Sequence, residues 1–253
     1  MARHRVYRTE AVVIRRSDFG EADRLLTLIT PQGKRRVIAK GTRKTTSRLA
    51  GHIELFTHTT MLLAIGRTLD IVTQSVVVSQ FHELRHDLQR ISAAYYVAEL
   101  IDHLVGDEDE NRPAFDLLLA TLSALDITRN IDLILRYYEL HLLSYAGYRP
   151  QFHYCAACQE VLYEDANRFS PSNGGMLCPR CGTHDATAMA VSLNAFKLLR
   201  FLQAQSLEAI EELTLTQAVC EEVRQILHVY VRQILERNLK SIAFLQEVRQ
   251  TIP

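Results

Sequence analysis

Arg24–Lys40 reads RLLTLITPQGKRRVIAK. Two runs rich in Leu, Ile, Val and Thr flank the triplet Pro31-Gln32-Gly33. Proline presets the backbone of a tight turn and glycine tolerates a positive φ, so the stretch predicts two strands, Arg24–Thr30 and Lys34–Lys40, folded against one another. Working outward, Val6–Arg16 is β-branched and loosely alternating, and Ile53–Ile65 and Leu69–Val78 are further Val/Ile/Thr/Leu runs parted by Gly66 and its neighbours. About five short strands with little room for helix predict a small five-stranded barrel of the OB-fold type. An SH3-like barrel matches the strand count almost as well.

After Phe81 the period changes. Leu84, Leu88, Ile91, Tyr95, Ala98, Ile101 and Val105 recur at three- and four-residue steps, which predicts one amphipathic helix ending before Gly106. The acidic run Asp107–Glu110 reads as a linker that supplies negative charge to the next helix start. Helices are expected at Ala114–Leu125, at Ile131–Ala146 with Asn130 as cap and Gly147 and Pro150 as stop, at Leu193–Leu202 capped by Ser192, and from Val219 to about Arg237. The expected architecture is multidomain α+β. Residues 1–80 form an OB-fold nucleic-acid-binding domain, 81–150 the first part of a helical domain, 151–190 a zinc-ribbon-like segment and 191–253 the second helical part.

The formal net charge is zero, but it is unevenly spread. Residues 1–80 hold 14 Lys and Arg against 6 Asp and Glu, and the remaining 173 hold 15 against 23. A basic N-terminal part joined to an acidic remainder suggests a polyanion-binding module on a separate scaffold. Lys34, Arg35, Arg36, Lys40, Arg43, Lys44 and Arg48 fall within 15 residues, and no acidic residue interrupts Pro31–Ile53. Gly41, Thr42, Thr45, Thr46 and Ser47 among them offer backbone and hydroxyl donors to phosphates. Arg15 and Arg16 close the first strand, while Arg3, Arg5 and Arg8 lie before or at its start. The barrel's aromatics are few (Tyr7, Phe19, Phe56), so phosphate contacts should outweigh base stacking. A solvated basic loop is the bland alternative; density without compensating acid favours nucleic acid.

Cys155-Ala-Ala-Cys158 and Cys178-Pro-Arg-Cys181 are separated by 19 residues, a zinc-ribbon spacing. Each pair supplies two thiolates from one turn, and the intervening chain, turning at Asn173-Gly174-Gly175, returns to close a tetrahedron. Gly182 is expected at positive φ, aiming backbone N–H groups at sulfur. One structural zinc held by Cys155, Cys158, Cys178 and Cys181 is the expectation, because four thiolates leave no open position for catalysis. His153 and His184 flank the site as possible substitutes, and Cys220 reads as a small buried hydrophobe. No apolar run approaches a membrane span, and Ala11–Ile14 is too short for a signal-peptide core, so a cytoplasmic location is expected.

One catalytic pattern competes. His82-Glu83-Leu84-Arg85-His86 matches H-E-x-x-H, in which two histidines one turn apart grip zinc beside a glutamate base. The extended metalloprotease form is absent, with Gln89 and Ser92 in place of its Gly and His. Leu84 is expected to face the core and both histidines solvent. Nor is there a phosphate-binding loop, a dinucleotide fingerprint or a nucleophile elbow. No catalytic residue is assigned.

GEADRLLTLITPQGKRRVIAKGTRKTTSR, Gly20–Arg48, resembles the N-terminal signature of the bacterial recombination mediators of the RecO family: a strand ending in T-P-x-G, then A-K-G-x-R/K closing in S-R. AAYYVAEL (Ala93–Leu100) and LLSYAGYRPQFHYCAAC (Leu142–Cys158) follow in the family's order, so the resemblance covers nearly the whole chain. It implies an OB-fold, a helical domain and, in many members, a zinc-binding segment. It also implies binding of single- and double-stranded DNA and annealing of complementary strands, including strands coated by single-stranded-DNA-binding protein. With the partner RecR, the family helps load RecA. The resemblance places Lys34, Arg35, Arg36, Lys40, Arg43, Lys44 and Arg48 on the DNA surface and the acidic tail of the single-stranded-DNA-binding protein on the helical domain. Some members lack the cysteines, so zinc is implied to be dispensable for the shared activity. The alternative from the residues is an RNA-binding or transcription-associated protein, since OB-folds and zinc ribbons also pair there.

Overall fold

The computed structural model describes residues 6–107, 109–211 and 213–251. Five strands come first: β1 (Val6–Phe19), β2 (Asp23–Thr30), β3 (Gly33–Ala39), β4 (His58–Ala64) and β5 (Asp70–Ser79). They close into a barrel in the order β1-β2-β3-β5-β4. Every seam is antiparallel except β3 with β5, which pair in parallel through Val37–Asp70 and Ile38–Ile71. This closure is OB-like and decides between the two barrels that strand count permits.

Strand alternation fills the barrel. Ala11, Val13, Leu26, Leu28, Val37, Ala39, Met61, Leu63 and Val72 form its interior, with Ile53 packed among them. β1 and β2 are also buried on their other face, at Val12, Ile14 and Ile29. There, the helices Leu88–Leu104 and Arg112–Ile127 pack on β1 and β2 respectively. The β2–β3 turn forms as its residues require. Thr30 Oγ1 donates to the Gly33 carbonyl at 2.8 Å and accepts from Gln32 N–H at 3.2 Å. Gly33 has φ +94°, and a Cβ there would lie 2.5 Å from the Asp109 carbonyl oxygen.

Two expected elements differ. The run Ile53–Ile65 becomes strand only at His58, because Ala50–His52 winds a 3-10 turn and Phe56 takes a left-handed φ of 59°. The helix expected from Leu84 to Val105 arrives in two pieces, α1 (His82–His86) and α2 (Leu88–Leu104). Asp87 between them is extended, and its side chain accepts from Arg90 N–H at 2.9 Å. An aspartate in that conformation ends one helix and caps the next, whatever the periodicity across it. α3 (Arg112–Ile127) follows, with Asn111 Oδ1 accepting from Ala114 N–H at 3.0 Å.

The chain divides into two compact units, residues 1–127 with 243–253, and residues 128–242. The second unit contains α4 (Ile131–Tyr145), β6 (Arg168–Ser170), β7 (Gly175–Leu177), α5 (Pro179–Gly182), β8 (Met189–Ala190), α6 (Leu193–Ala204), α7 (Leu207–Glu211) and α8 (Gln217–Leu235). Asn130 and Ser192 cap α4 and α6 as expected, accepting from Leu133 N–H and Ala195 N–H. α4, α6 and α8 pack together over Tyr138, Phe196, Leu199, Leu202, Ile226 and Leu227. Arg136 and Glu139, one turn apart on α4, form a buried ion pair at 2.8 Å. β7, β6 and β8 make a small sheet, with Gly174 turning the hairpin at φ +67°. Phe169 of this sheet meets Tyr230 of α8 edge to face at 5.5 Å. The last helix, α9 (Lys240–Thr251), buries Leu245 and Val248, and its Phe244 ring approaches Tyr95 at 6.4 Å. Among the described residues, no helix is long and apolar enough to cross a membrane.

Candidate nucleic-acid interface and metal centre

The cationic segment is carried by β3 and the loop after it. Along β3 the alternation puts Lys34, Arg36, Ile38 and Lys40 on the outer face. Arg36, Lys40, Lys44 and Arg48 are exposed and form no ion pair among the described residues. The other expected DNA contacts are engaged. Lys34 Nζ donates to the Asp102 carbonyl at 2.8 Å and lies 3.5 Å from the Asp102 carboxylate and 3.4 Å from that of Asp107. Its own N–H donates to the Gly106 carbonyl. Arg15 pairs with Asp102, and Arg16 with Glu54, which also receives Arg24 at 3.6 Å. Arg35 turns to the barrel end, with its guanidinium 5.6 Å from the Tyr7 ring centroid. Burial, then a hydrogen bond to Asp70, pushes the Tyr7 hydroxyl up to about 12. Arg43 donates to the Gly20 carbonyl and pairs with Asp18. Arg3 and Arg5 lie outside the described residues.

The acidic partners escaped the sequence reading. Asp107–Glu110 reads there as a linker; instead Asp107 bridges to Lys34, and the Asp109 backbone closes over Gly33. The signal was the coincidence of a +8 and a −8 segment in one chain, which a polyanion-binding reading left as separate surfaces.

In the second unit, Cys155, Cys158, Cys178 and Cys181 bring their sulfurs within 4.8 Å of one another. The Cys158 and Cys178 sulfurs are 3.9 Å apart. A tetrahedron of zinc–sulfur bonds of about 2.3 Å has edges of about 3.8 Å. The donor set therefore fits a tetrahedral, thiolate-seeking ion. Cys178 N–H donates to Cys155 Sγ at 3.4 Å. Burial pushes the Cys155 thiol up, but the backbone N–H groups of Cys158, Cys178 and Ala157 outweigh it and hold it at about 6. Cys181 is pushed up to about 12, first by its hydrogen bond with Cys178 and then by that with Cys158. Four thiolates this close repel one another, and a divalent cation relieves that repulsion. Gly182 departs from its expected role. It is not at positive φ but lies in α5, and a Cβ there would meet Arg168 Cδ at 2.8 Å, so it is small for packing. His153 is occupied by Arg200 at 2.9 Å and does not join the cluster. Cys220 is half-buried, and burial raises its thiol.

HELRH is α1 itself. Leu84 is fully buried and His82 and His86 are exposed, as expected, and Glu83 is exposed too. No third ligating side chain gathers round the two histidines among the described residues. The residue that acts in this motif is Arg85, which donates to the Leu55 and Gln80 carbonyls and to Thr57 Oγ1.

Known proteins place this assembly. The family model described as Recombination protein O N terminal matches residues 1–81, and Recombination protein O C terminal matches residues 85–243. The chain belongs to the RecO family. Among curated RecO proteins it is 59% identical over 250 residues to the DNA repair protein RecO of Roseiflexus sp., covering 99% of this chain and 88% of that one. It is 37% identical to the RecO of Dehalococcoides mccartyi strain 195, covering 96% of each chain. It is also 37% identical to that of Nocardioides sp., covering 95% of this chain and 99% of the other. The two RecO models meet at residues 81–85, where β5 has ended and α1 lies.

Proposed function

We propose that this chain binds single- and double-stranded DNA, anneals complementary strands and, with RecR, helps load RecA onto DNA coated by single-stranded-DNA-binding protein. The observation that carries the reading is the set Arg36, Lys40, Lys44 and Arg48: exposed cations on an OB-like barrel with no acidic partner among the described residues. Membership of a family whose curated members are named DNA repair proteins supports it. In this reading residues 1–80 are the DNA-binding domain, with the engaged cations Arg15, Arg16, Lys34, Arg35 and Arg43 shaping the surface that the free ones present. Residues 151–190 are a zinc-folded segment between the helical stretches 81–150 and 191–253. The acidic C-terminal tail of the single-stranded-DNA-binding protein docks on the helical part, and the protein works in the cytoplasm at the nucleoid.

Annealing has no bond-making step, so the reading needs no catalytic residue. Two strands are polyanions that repel, and each is sheathed in another protein. A cationic surface lowers the repulsion and raises local strand concentration, after which base pairing drives the reaction. Cys155, Cys158, Cys178 and Cys181 would hold one Zn2+, whose contribution is structural: it ties together a segment too small to build its own core. The test is annealing of complementary strands precoated with single-stranded-DNA-binding protein, alongside competition between single-stranded DNA and RNA. Accelerated annealing with preference for DNA supports the reading. No acceleration, or a preference for RNA, moves the chain to the RNA-binding alternative.

A further inference from the structure

The β1–β2 turn and the loop after β3 are fastened into one structure. Gly41 N–H donates to Asp23 Oδ1 at 2.7 Å, Arg43 N–H to the Ala22 carbonyl at 2.9 Å and Arg43 Nη1 to the Gly20 carbonyl at 3.2 Å. Arg43 Nη2 adds an ion pair with Asp18 at 3.4 Å. On that turn stands Phe19, 46% exposed. A lone exposed apolar side chain is ordinary. What makes this one informative is its company. Lys40 and Lys44 flank the segment Gly41–Arg43 that binds its turn, and the barrel's other aromatics are spent. Tyr7 donates its hydroxyl to Asp70 and carries Arg35 on its ring, while Phe56 is 1% exposed against Tyr95. Of the nearby carboxylates, Asp18, though 61% exposed, is bridged to Arg43 and Arg24, and Asp23 accepts from Gly41, leaving exposed Glu21 as the acid with no cationic partner among the described residues.

We infer that Phe19 is a base-stacking residue of the DNA surface: an unpaired nucleobase lies on its ring while Lys40, Lys44 and Arg48 take the adjoining phosphates. This rests on the DNA-binding reading and sharpens it. Every base has a π-face, so one ring reads single strands without sequence preference. In a duplex those faces are already stacked, so the ring adds nothing there. The surface then favours single strands by an increment separate from its charge.

The chain contains no tryptophan, so Phe19→Trp installs a single reporter. Oligothymidylate added to the full-length F19W protein should quench its emission. Phe19→Ala should weaken binding to oligothymidylate about 5- to 150-fold, the span of one base–aromatic stack, with an unchanged salt slope and unchanged duplex affinity. Phe19→Leu, apolar but without a π-face, should lose affinity like F19A. F19W that binds normally without quenching overturns the inference, and so does F19L or F19A with native affinity. Those results leave the DNA-binding reading standing. Wild-type protein that binds neither single strands nor duplex removes that reading and the inference with it.

Discussion

Replacing Arg36, Lys40, Lys44 and Arg48 together by alanine separates cations that can meet phosphates from cations already engaged. Each contact to a single-stranded phosphate contributes about 0.7 to the log–log dependence of affinity on salt. Losing four such contacts lowers the slope by up to about 2.8, so over a fourfold rise in salt the wild type loses roughly 50-fold more affinity than the variant. Lys34→Ala is the matched control from the same strand. Its side chain is 18% exposed, and its ammonium is held by the Asp102 carbonyl and the carboxylates of Asp102 and Asp107. Removing it should leave the slope nearly unchanged and cost about 0.5–1.5 kcal/mol of stability, because Asp102, 11% exposed, keeps Arg15 but loses one of its two cationic partners. Fluorescence anisotropy of a labelled oligothymidylate across a salt series gives the slopes, and urea unfolding gives the stability. A fourfold variant with the wild-type slope, or K34A with a slope lowered as far as the fourfold variant's, would refute the division between free and engaged cations.

Gly33→Ala places a Cβ 2.5 Å from the Asp109 carbonyl at φ +94°, whereas Gly20→Ala, at φ +58°, meets nothing within 4 Å. Both should cost about 1–2 kcal/mol for the left-handed backbone, and G33A a further 1–3 kcal/mol or so for the clash; equal urea midpoints would sink the claim that the acidic segment closes over this turn. Stripping metal with a strong chelator, or Cys178→Ser, should lower the thermal midpoint and cost several kcal/mol, a part of the roughly 10–16 kcal/mol that structural zinc supplies in small peptides. Metal content by mass spectrometry identifies the ion, and a midpoint indifferent to chelation contradicts a structural role. His228 on α8 has its proton affinity lowered, first by burial and then by Arg136, Arg224 and Arg232. A folded-state value below the ordinary 6.5 means that the unfolded chain binds the extra proton more readily. The stability this histidine contributes is therefore present above about pH 6.5 and lost as pH falls through the lower folded value. Burial lowers His58 and His141 in the same direction. His228→Gln should shrink the drop in thermal midpoint between pH 7 and pH 5, and an undiminished drop would exclude His228 as a source.

What could be read from sequence depended on how local the physics was. The β2–β3 pair was legible because Pro31, Gly33 and the flanking β-branched runs act within a few residues, and the four cysteines because their spacing is itself the geometry. The caps Asn130 and Ser192 were legible for the same reason. The break at Asp87 was not, since the apolar period runs straight through it and only the aspartate's backbone conformation reveals two helices. Phe56 at positive φ is a choice made by the barrel and its covering helix rather than by the residue. α9 lies beyond the last helix expected from the sequence; it is held by Leu245, Val248 and the Phe244–Tyr95 contact, a long-range meeting that no local pattern encodes. HELRH illustrates the converse. Its histidines drew the eye, but both are exposed, and the motif's structural work falls to Leu84 and to Arg85, which ties α1 to the Leu55–Thr57 corner.

The charge asymmetry is the instructive case, because composition was right about its existence and silent about its destination. Residues 81–127 hold 3 Lys and Arg against 10 Asp and Glu, so most of the acid that balances the barrel lies in the helices packed on it and the segments that join them. Asp102 and Asp107 draw in Lys34, Asp102 also takes Arg15, and Glu54 takes Arg16 and Arg24. These pairs consume positive charge beside the β2–β3 turn and along β1; past Ala39, Arg43 alone of the loop's cations is paired among the described residues, with Asp18. Apart from Arg8 and Arg67, the free cations therefore run from the outer face of β3 through the loop to Arg48, beside the turn that carries Phe19. A cation count over 80 residues describes a barrel that is basic everywhere. With the acidic helices in place, four of the six exposed, unpaired cations of the described barrel lie on one strand and one loop, and a polyanion would bind there in a defined position rather than coat the barrel.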